Sequence, residues 1–163
     1  MNRVFLLTGS NIGDCNALID KAVDEICIHL GLVVQKSHIY RSESWGYESS
    51  QQFLNQCIEI ETDLRPQLLI EKILEIEEKM GRIRISQGYS DRKIDIDILF
   101  FNNEIIEDDR LSIPHPRFHL RKFALLPMAE IAGDFVHPLL KKKVSELLIS
   151  CEDASDVTMD LNQ

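Results

Sequence analysis

The segment 92-RKIDIDILFF-101 alternates Ile94, Ile96, Ile98 and Phe100 with Asp95, Asp97, Leu99 and Phe101. Period-2 alternation in a β-branched and aromatic run predicts a strand. On that strand Asp95 and Asp97 share a face, about 6–7 Å apart at the backbone, so their carboxylates can converge to about 4 Å. Their repulsion is then about 1 kcal/mol in water and about 4 kcal/mol at an effective dielectric near 20. The same face runs on into Leu99 and Phe101, which predicts burial further along. The pair therefore belongs at the mouth of a cleft, where a cation or a shared proton relieves the repulsion.

Carboxylate oxygens without a thiolate beside them suit a hard cation. Magnesium is commonly held by one or two carboxylates plus substrate phosphates. The preceding stretch, 82-RIRISQGYSDRK-93, sets Arg82, Arg84, Arg92 and Lys93 against the single acid Asp91. Alone it reads as a solvated basic loop, and D-x-D alone is a short, common pattern. Together they have the composition of a phosphoryl-transfer site, in which positioning and charge neutralisation do most of the catalysis. The chain has no G-x-x-x-x-G-K-[ST] and no G-x-G-x-x-G, so side chains and metal must hold the phosphates. His115, stiffened between Pro114 and Pro116, is the histidine best placed to join them, against the reading of a structural turn residue. His29 and His38 read as packing or surface residues, and Ser10 as turn chemistry.

Working outward, 3–8 reads as a buried strand, followed by a turn at GSNIGD. A helix follows over 16–30, capped by Asp14 or Asn16 and stopped by Gly31. A second strand spans 32–41, a polar loop 42–51, and a third strand 52–61 with Phe53, Asn55 and Cys57 on one face. Pro66 opens a second helix that ends near Met80. After the aspartate strand, Asn102-Asn103 signals a hairpin that folds Glu104–Ile106 back as an edge strand. Helical segments follow around 120–132 and 143–150. The order strand, helix, strand, strand, helix, strand predicts an α+β, ferredoxin-like βαββαβ core with an added C-terminal hairpin and helices, the core helices on one face of a mainly antiparallel sheet. Residues 1–151 are expected to form one domain, and 152–163 an acidic, mobile tail.

The chain has 163 residues, 44% of them hydrophobic and 28% charged, as in a globular protein with one sizeable core. Its net charge of −9 argues against nucleic acid as a partner. No apolar run reaches the roughly 18 residues of a membrane span. The short apolar run at the N-terminus does not make a secretory signal, so a cytoplasmic protein is expected. Cys15, Cys27, Cys57 and Cys151 are scattered without a C-x-x-C pair and read as reduced thiols.

Taken in order, LTGSNIGD, 53-FLNQ-56, 80-MGRIR-84, 92-RKIDIDILFFN-102 and 114-PHPRFHLRKFALLPMAEIA-132 resemble the 6-hydroxymethyl-7,8-dihydropterin pyrophosphokinases of folate biosynthesis. The resemblance runs nearly end to end. It implies transfer of pyrophosphate from ATP to the pterin hydroxymethyl oxygen, with release of AMP and participation of two magnesium ions. It implies Asp95 and Asp97 as ligands of both ions, and Arg82 and Arg92, with Arg84, as loop arginines that meet the triphosphate. His115 and Arg121, with Arg110 and Ser112 nearby, are similar to the family's phosphate-binding residues, and Glu77 and Ile98 to its nucleotide-site residues. Asn55 resembles the residue that hydrogen-bonds the pterin edge, and Phe53 and Phe123 the aromatic pair around its ring. Backbone groups near Ser42 and Trp45 complete that pocket. The sequence departs from the family's habit at Tyr89, at Ser90-Asp91, at Ser44 in a loop that usually holds prolines, and at Leu74.

Phe53 and Asn55, on one strand face, can stack on and hydrogen-bond the same flat heterocycle. The expected partners are thus ATP and a pterin, with no nucleic acid and no membrane, and the chain is expected to act as a monomer. Two rivals remain. A polymerase-β-type nucleotidyltransferase also pairs Gly-Ser with D-x-D, though usually about a dozen residues apart, whereas Gly9-Ser10 lies far upstream of Asp95. A regulator that binds ATP–magnesium without consuming it would have no use for Phe53, Asn55 and Phe123 together.

Overall fold

Val4, Phe5, Leu6 and Leu7 are apolar on both sides of their strand, and β1 (Asn2–Ser10) accordingly lies inside a sheet between two antiparallel neighbours. The computed structural model describes residues 1–81 and 93–162. β1 extends through Gly9 and Ser10, two residues further than the predicted turn allowed. The helix α1 (Cys15–His29) starts where the Ala17 N–H donates to the Asp14 carboxylate (3.2 Å), an N-cap that satisfies one of the first turn's free donors.

The predicted strand 32–41 is divided into β2 (Leu32–Lys36) and β3 (Tyr40–Ser42). Both pair with β4 (Phe53–Thr62), but the register shifts between Val33 and Gln35, and again between Lys36 and Tyr40. At the break Ser37 replaces the ladder: its N–H donates to the Cys57 carbonyl, its Oγ accepts from the Cys57 N–H, and its carbonyl accepts from Gln56 Nε2. The helix α2 (Pro66–Lys79) then leads back to β5 (Asp95–Phe101) on the far side of β1. The sheet order β5-β1-β4-β3-β8, with β8 at Val157–Met159 and β2 also on β4, contains the expected ferredoxin-like core.

Three features differ from the sequence expectation. First, β5 is bulged. Leu6 pairs with Ile98 and Phe5 with Phe100, so Leu99 is an extra residue. The bulge reverses the alternation: Leu99 and Phe100 pack with Phe5, Leu7, Cys57 and Phe118, while Phe101 joins Ile96 and Ile98 on the opposite face. The Leu99 carbonyl accepts from the His115 N–H (3.0 Å) on the outer edge of β5. That segment occupies the edge, so β6 (Ile106–Glu107) pairs with β7 (Ser112–Ile113) in a separate two-stranded sheet instead of folding onto β5.

Second, helices cover both faces. One core contains Ile19, Ile26, Leu69 and Ile73 of α1 and α2. The other contains Ala124, Leu125, Met128, Val144 and Leu147 of α3 (Lys122–Ala132) and α4 (Val144–Ser150). The apolar side chains of Phe5, Leu7 and Phe100 require that second cover. Third, the acidic segment at 152–163 does not stand apart from the fold. Val157–Met159 forms β8, paired antiparallel with β3.

Carboxylates tie these elements together, Glu59 and Asp160 from buried positions and Glu130 from the surface. Glu59 takes Arg3 Nε and Gln35 Nε2, both at 2.6 Å. Glu130 of α3 accepts from the Tyr40 hydroxyl (2.6 Å) and the His38 N–H (3.1 Å), and its Oε1 lies 2.6 Å from His38 Nδ1. Burial works against Glu59 and Glu130, but these partners overcome it and hold both carboxyls below their ordinary value of 4.5. Arg41, against the cost of burial, does the same for Asp160, whose ordinary value is 3.8.

Gly9 has a steric requirement. A Cβ there would lie 2.6 Å from Asn55 Nδ2, its register partner across β1 and β4. Gly9→Ala should cost about 1–3 kcal/mol through overpacking, read as a lower urea midpoint. A midpoint equal to the parent's would remove the constraint. The carboxylate ties set the pH response. Their folded pKa values lie below the unfolded ones, so their stabilisation is present above pH 4.5 and is lost as pH falls through the folded values. Urea midpoints should hold level from pH 7 to about 4.5 and then drop. In Glu130→Gln the starting midpoint should be lower and the acid drop shallower.

Candidate active site

The pocket follows from strand register. Gly9 pairs with Asn55 on one side and Asp95 on the other, and Leu7 pairs with Asp97. The row Asn55–Gly9–Asp95 thus has no side chain of its own in the middle, and the Asn55 amide takes up the space a Cβ would need there. A pocket lies beside this row. Its floor is Leu7, Gly9, Asn55 and Phe53, with Asp95 and Asp97 at one side. Ser42 of β3 and Glu43, Trp45 and Tyr47 of the following loop make one wall, and Arg121 and Phe123 at the start of α3 make the other.

Asn55 is oriented by its amide nitrogen, which donates to the Thr8 carbonyl (3.2 Å). Its Oδ1 is buried and receives no donor, and neither does the buried Ser42 Oγ. Orphan buried acceptors of this kind are uncommon and costly; here two line one pocket. The aromatic surroundings are anchored as well. Tyr47 meets Phe53 edge-on at 6.3 Å. The Arg121 guanidinium, only 8% exposed, lies 4.7 Å from the Trp45 ring centre and 5.5 Å from that of Phe123, cation–π distances.

Asp95 and Asp97 are half-buried on the pocket side of β5. Two adjacent carboxylates offer only oxygen donors, which fits magnesium with its remaining ligands drawn from water or phosphate. No group of three or more His, Cys, Asp or Glu side chains that could hold a metal occurs among the described residues. His115 is held nearby by its bond to Leu99. Burial first, and then Arg121, push its pKa down to about 4, against an opposing pull from Asp95. Its Nδ1 accepts from the Arg117 N–H (3.1 Å). The neutral ring therefore carries its proton on Nε2, as a donor suited to an anion.

Of the residues the sequence singled out, Ser42, Trp45, Phe53, Asn55, Asp95, Asp97, Arg121 and Phe123 line this one pocket. Glu77, Ile98, Arg110, Ser112 and His115 do not. Glu77 is buried at the end of α2, Ile98 packs in the core beneath the first two helices, Arg110 lies 3.6 Å from Glu71, and the Ser112 hydroxyl donates to Glu107 (3.3 Å). Arg82, Arg84 and Arg92 lie outside the described residues. Leu7, Gly9, Glu43 and Tyr47 are pocket residues that sequence reasoning missed. For Gly9 the signal was present in LTGSN but read as a turn. For Glu43 and Tyr47 the ten-residue loop gave none beyond its length.

Comparisons with known proteins point to one family. The family model described as 7,8-dihydro-6-hydroxymethylpterin-pyrophosphokinase matches residues 5–133. A 2-amino-4-hydroxy-6-hydroxymethyldihydropteridine pyrophosphokinase of Bacillus subtilis is 43% identical over 131 residues, covering 80% of this chain and 78% of that protein. The Aquifex aeolicus protein of the same name is 37% identical over 147 residues, covering 90% of each. Among solved structures, wild-type Plasmodium falciparum HPPK-DHPS with pteroate superposes with a TM-score of 0.77 at 16% identity, over 91% of this chain. This chain spans only 44% of that longer one, and the likeness there is one of fold. The chain belongs to the 7,8-dihydro-6-hydroxymethylpterin pyrophosphokinase family.

Proposed function

We infer that this chain transfers the pyrophosphoryl group of ATP to the hydroxymethyl oxygen of 6-hydroxymethyl-7,8-dihydropterin, giving the pterin diphosphate and AMP. The observation that carries the reading is the pairing, in one pocket, of an aromatic slot that has two orphan acceptors with two adjacent carboxylates. A pterin is flat and has N–H donors along one edge. Phe53 and Phe123 would cover its faces, and Asn55 Oδ1 would accept from that edge. The Thr8 carbonyl already fixes which way the amide faces, so the acceptor is pre-oriented.

Asp95 and Asp97 would hold magnesium, two ions by family resemblance, which when bound neutralises triphosphate charge and acidifies a nearby hydroxyl. The chain's own groups do the rest. The row Asn55–Gly9–Asp95 aligns the pterin with the phosphate chain. Arg121 and the Nε2–H of neutral His115 are placed to bind phosphate oxygens. Arg82, Arg84 and Arg92 of the basic segment would add further charge, with Glu77, Ile98, Arg110 and Ser112 toward the nucleotide. The pterin oxygen bonds to the β-phosphorus, the bond from that phosphorus to the α–β bridging oxygen breaks, and AMP leaves with that oxygen while the hydroxyl proton is released. The chain would act as a monomer. The acidic balance of −9 gives no footprint for nucleic acid, and use of ATP suits work in the cytoplasm.

Incubation with ATP, magnesium and the hydroxymethyl pterin should yield AMP. Pyrophosphate with a nucleotidyl adduct would indicate a nucleotidyltransferase, and bound but unconsumed ATP a regulator. Asp97→Ala should abolish turnover with an unchanged circular dichroism spectrum; full activity in that variant would refute the metal assignment. Asn55→Ala should raise the pterin KM about tenfold, corresponding to about 1.4 kcal/mol of lost hydrogen bonding, while the ATP KM holds.

A further inference from the structure

We propose that the segment from Asp153 to Asp160 is a brace that sets the spacing of the two pterin-pocket walls, so that pterin affinity depends on residues that never touch the pterin. The inference rests on the pterin reading of the pocket. The segment also lies beyond residue 133, where the family match ends.

Each wall is incompletely supported by its own element. The α3 wall, with Arg121 and Phe123, begins without a side-chain cap from its own N-cap residue. Asp153 supplies the missing acceptor: its Oδ2 takes the Lys122 N–H at 3.0 Å. A carboxylate there also suits the positive end of the helix. Asp153 is itself held by the Ser155 N–H (3.0 Å) and hydroxyl (2.6 Å). The other wall hangs from β3, three residues long, with β4 as its partner on one side. β8 is its partner on the other: Ser42 pairs with Val157, Arg41 with Thr158 and Tyr40 with Met159. Ser42 lines the pocket, and the loop with Glu43, Trp45 and Tyr47 starts at the next residue.

Asp160 locks the far end. It is 2% exposed, its carboxylate accepts from Arg41 Nη2 (2.8 Å) and Asn16 Nδ2 (3.3 Å), and its N–H donates to the Ile39 carbonyl (2.8 Å). One short stretch thus grips α3 at its first turn and β3 along its length. The walls so joined carry Phe123 and Arg121 on one side and Ser42 and Trp45 on the other. Trp45 and Phe123 both lie within cation–π range of the one Arg121 guanidinium, so a change in wall spacing disturbs the slot directly. Asp95 and Asp97 stand on β5 at the opposite end of the sheet order. Releasing the brace therefore affects the pterin side before the metal side.

The test uses the full chain with Asp153→Ala and Asp160→Ala combined, and a second variant with Thr158→Pro added to break the ladder. Hydrogen exchange should quicken at the amides of 40–42. The pterin KM should rise about tenfold, as expected if the competent spacing falls to about one-tenth of the population, while kcat and the ATP KM stay within about twofold. A merely structural segment would lower the urea midpoint without separating the two KM values. An unchanged pterin KM in the Thr158→Pro variant, or an equal rise in both KM values, overturns the brace. Absence of AMP with the parent chain overturns the pterin reading instead, and the brace's catalytic role with it.

Discussion

The row Asn55–Gly9–Asp95 is the constraint on which the rest depends. Register fixes it: three antiparallel strands bring these residues side by side, and the middle one must lack a side chain because Asn55 Nδ2 already occupies the space a Cβ would need. Gly9 and Asn55 both line the pocket. The Asn55 amide and the Asp95 carboxylate are thereby held on either side of β1. Strand spacing is about 4.8 Å, so the distance between the two chemistries is set by backbone hydrogen bonds and not by flexible side chains. The apolar residues of β1 on both faces, and the helices that cover them, serve to keep this row rigid.

Much of the fold was legible because its elements are long and periodic. The buried run at Val4–Leu7, the stripe of α1 and the Pro66 start of α2 are local signals, and each produced the element predicted. What stayed hidden depends on non-local pairing. Nothing within IDILFF marks Leu99 as the extra residue; the bulge exists because Phe5 and Leu6 pair around it and His115 takes its carbonyl. Nothing within SDVTMD marks a strand end either. Acidic composition read as solvated, whereas Asp160 is buried because Arg41 and Asn16 meet it there.

The site divides in the same way. Asp95 and Asp97 could be read from alternation alone, as a charge repulsion that needed relief. Phe53 and Asn55 could be placed on one strand face. Trp45, Arg121 and Phe123 came from family resemblance, since no local pattern distinguishes them from packing or surface residues. Their convergence on one pocket is a property of the assembled sheet and α3. Glu43 and Tyr47 belong to a loop whose course no periodicity dictates.

Charge balance at the pocket explains why the aspartates and the basic segment adjoin in the sequence. Among the described lining residues, Glu43, Asp95 and Asp97 stand against one cation, Arg121. His115 adds no charge at neutral pH, because burial and Arg121 keep its pKa near 4. A triphosphate approaching such a surface meets repulsion that Arg121 alone cannot cancel. On the proposed reading two sources of positive charge would: a divalent ion on the carboxylates, and the bases Arg82, Arg84, Arg92 and Lys93, which adjoin Asp95 in the sequence. The ion would relieve the aspartates and leave phosphate oxygens for those bases to neutralise. Until the nucleotide arrives, Arg121 has the aromatic faces of Trp45 and Phe123 as a weaker partner, and a charged phosphate oxygen is the stronger one.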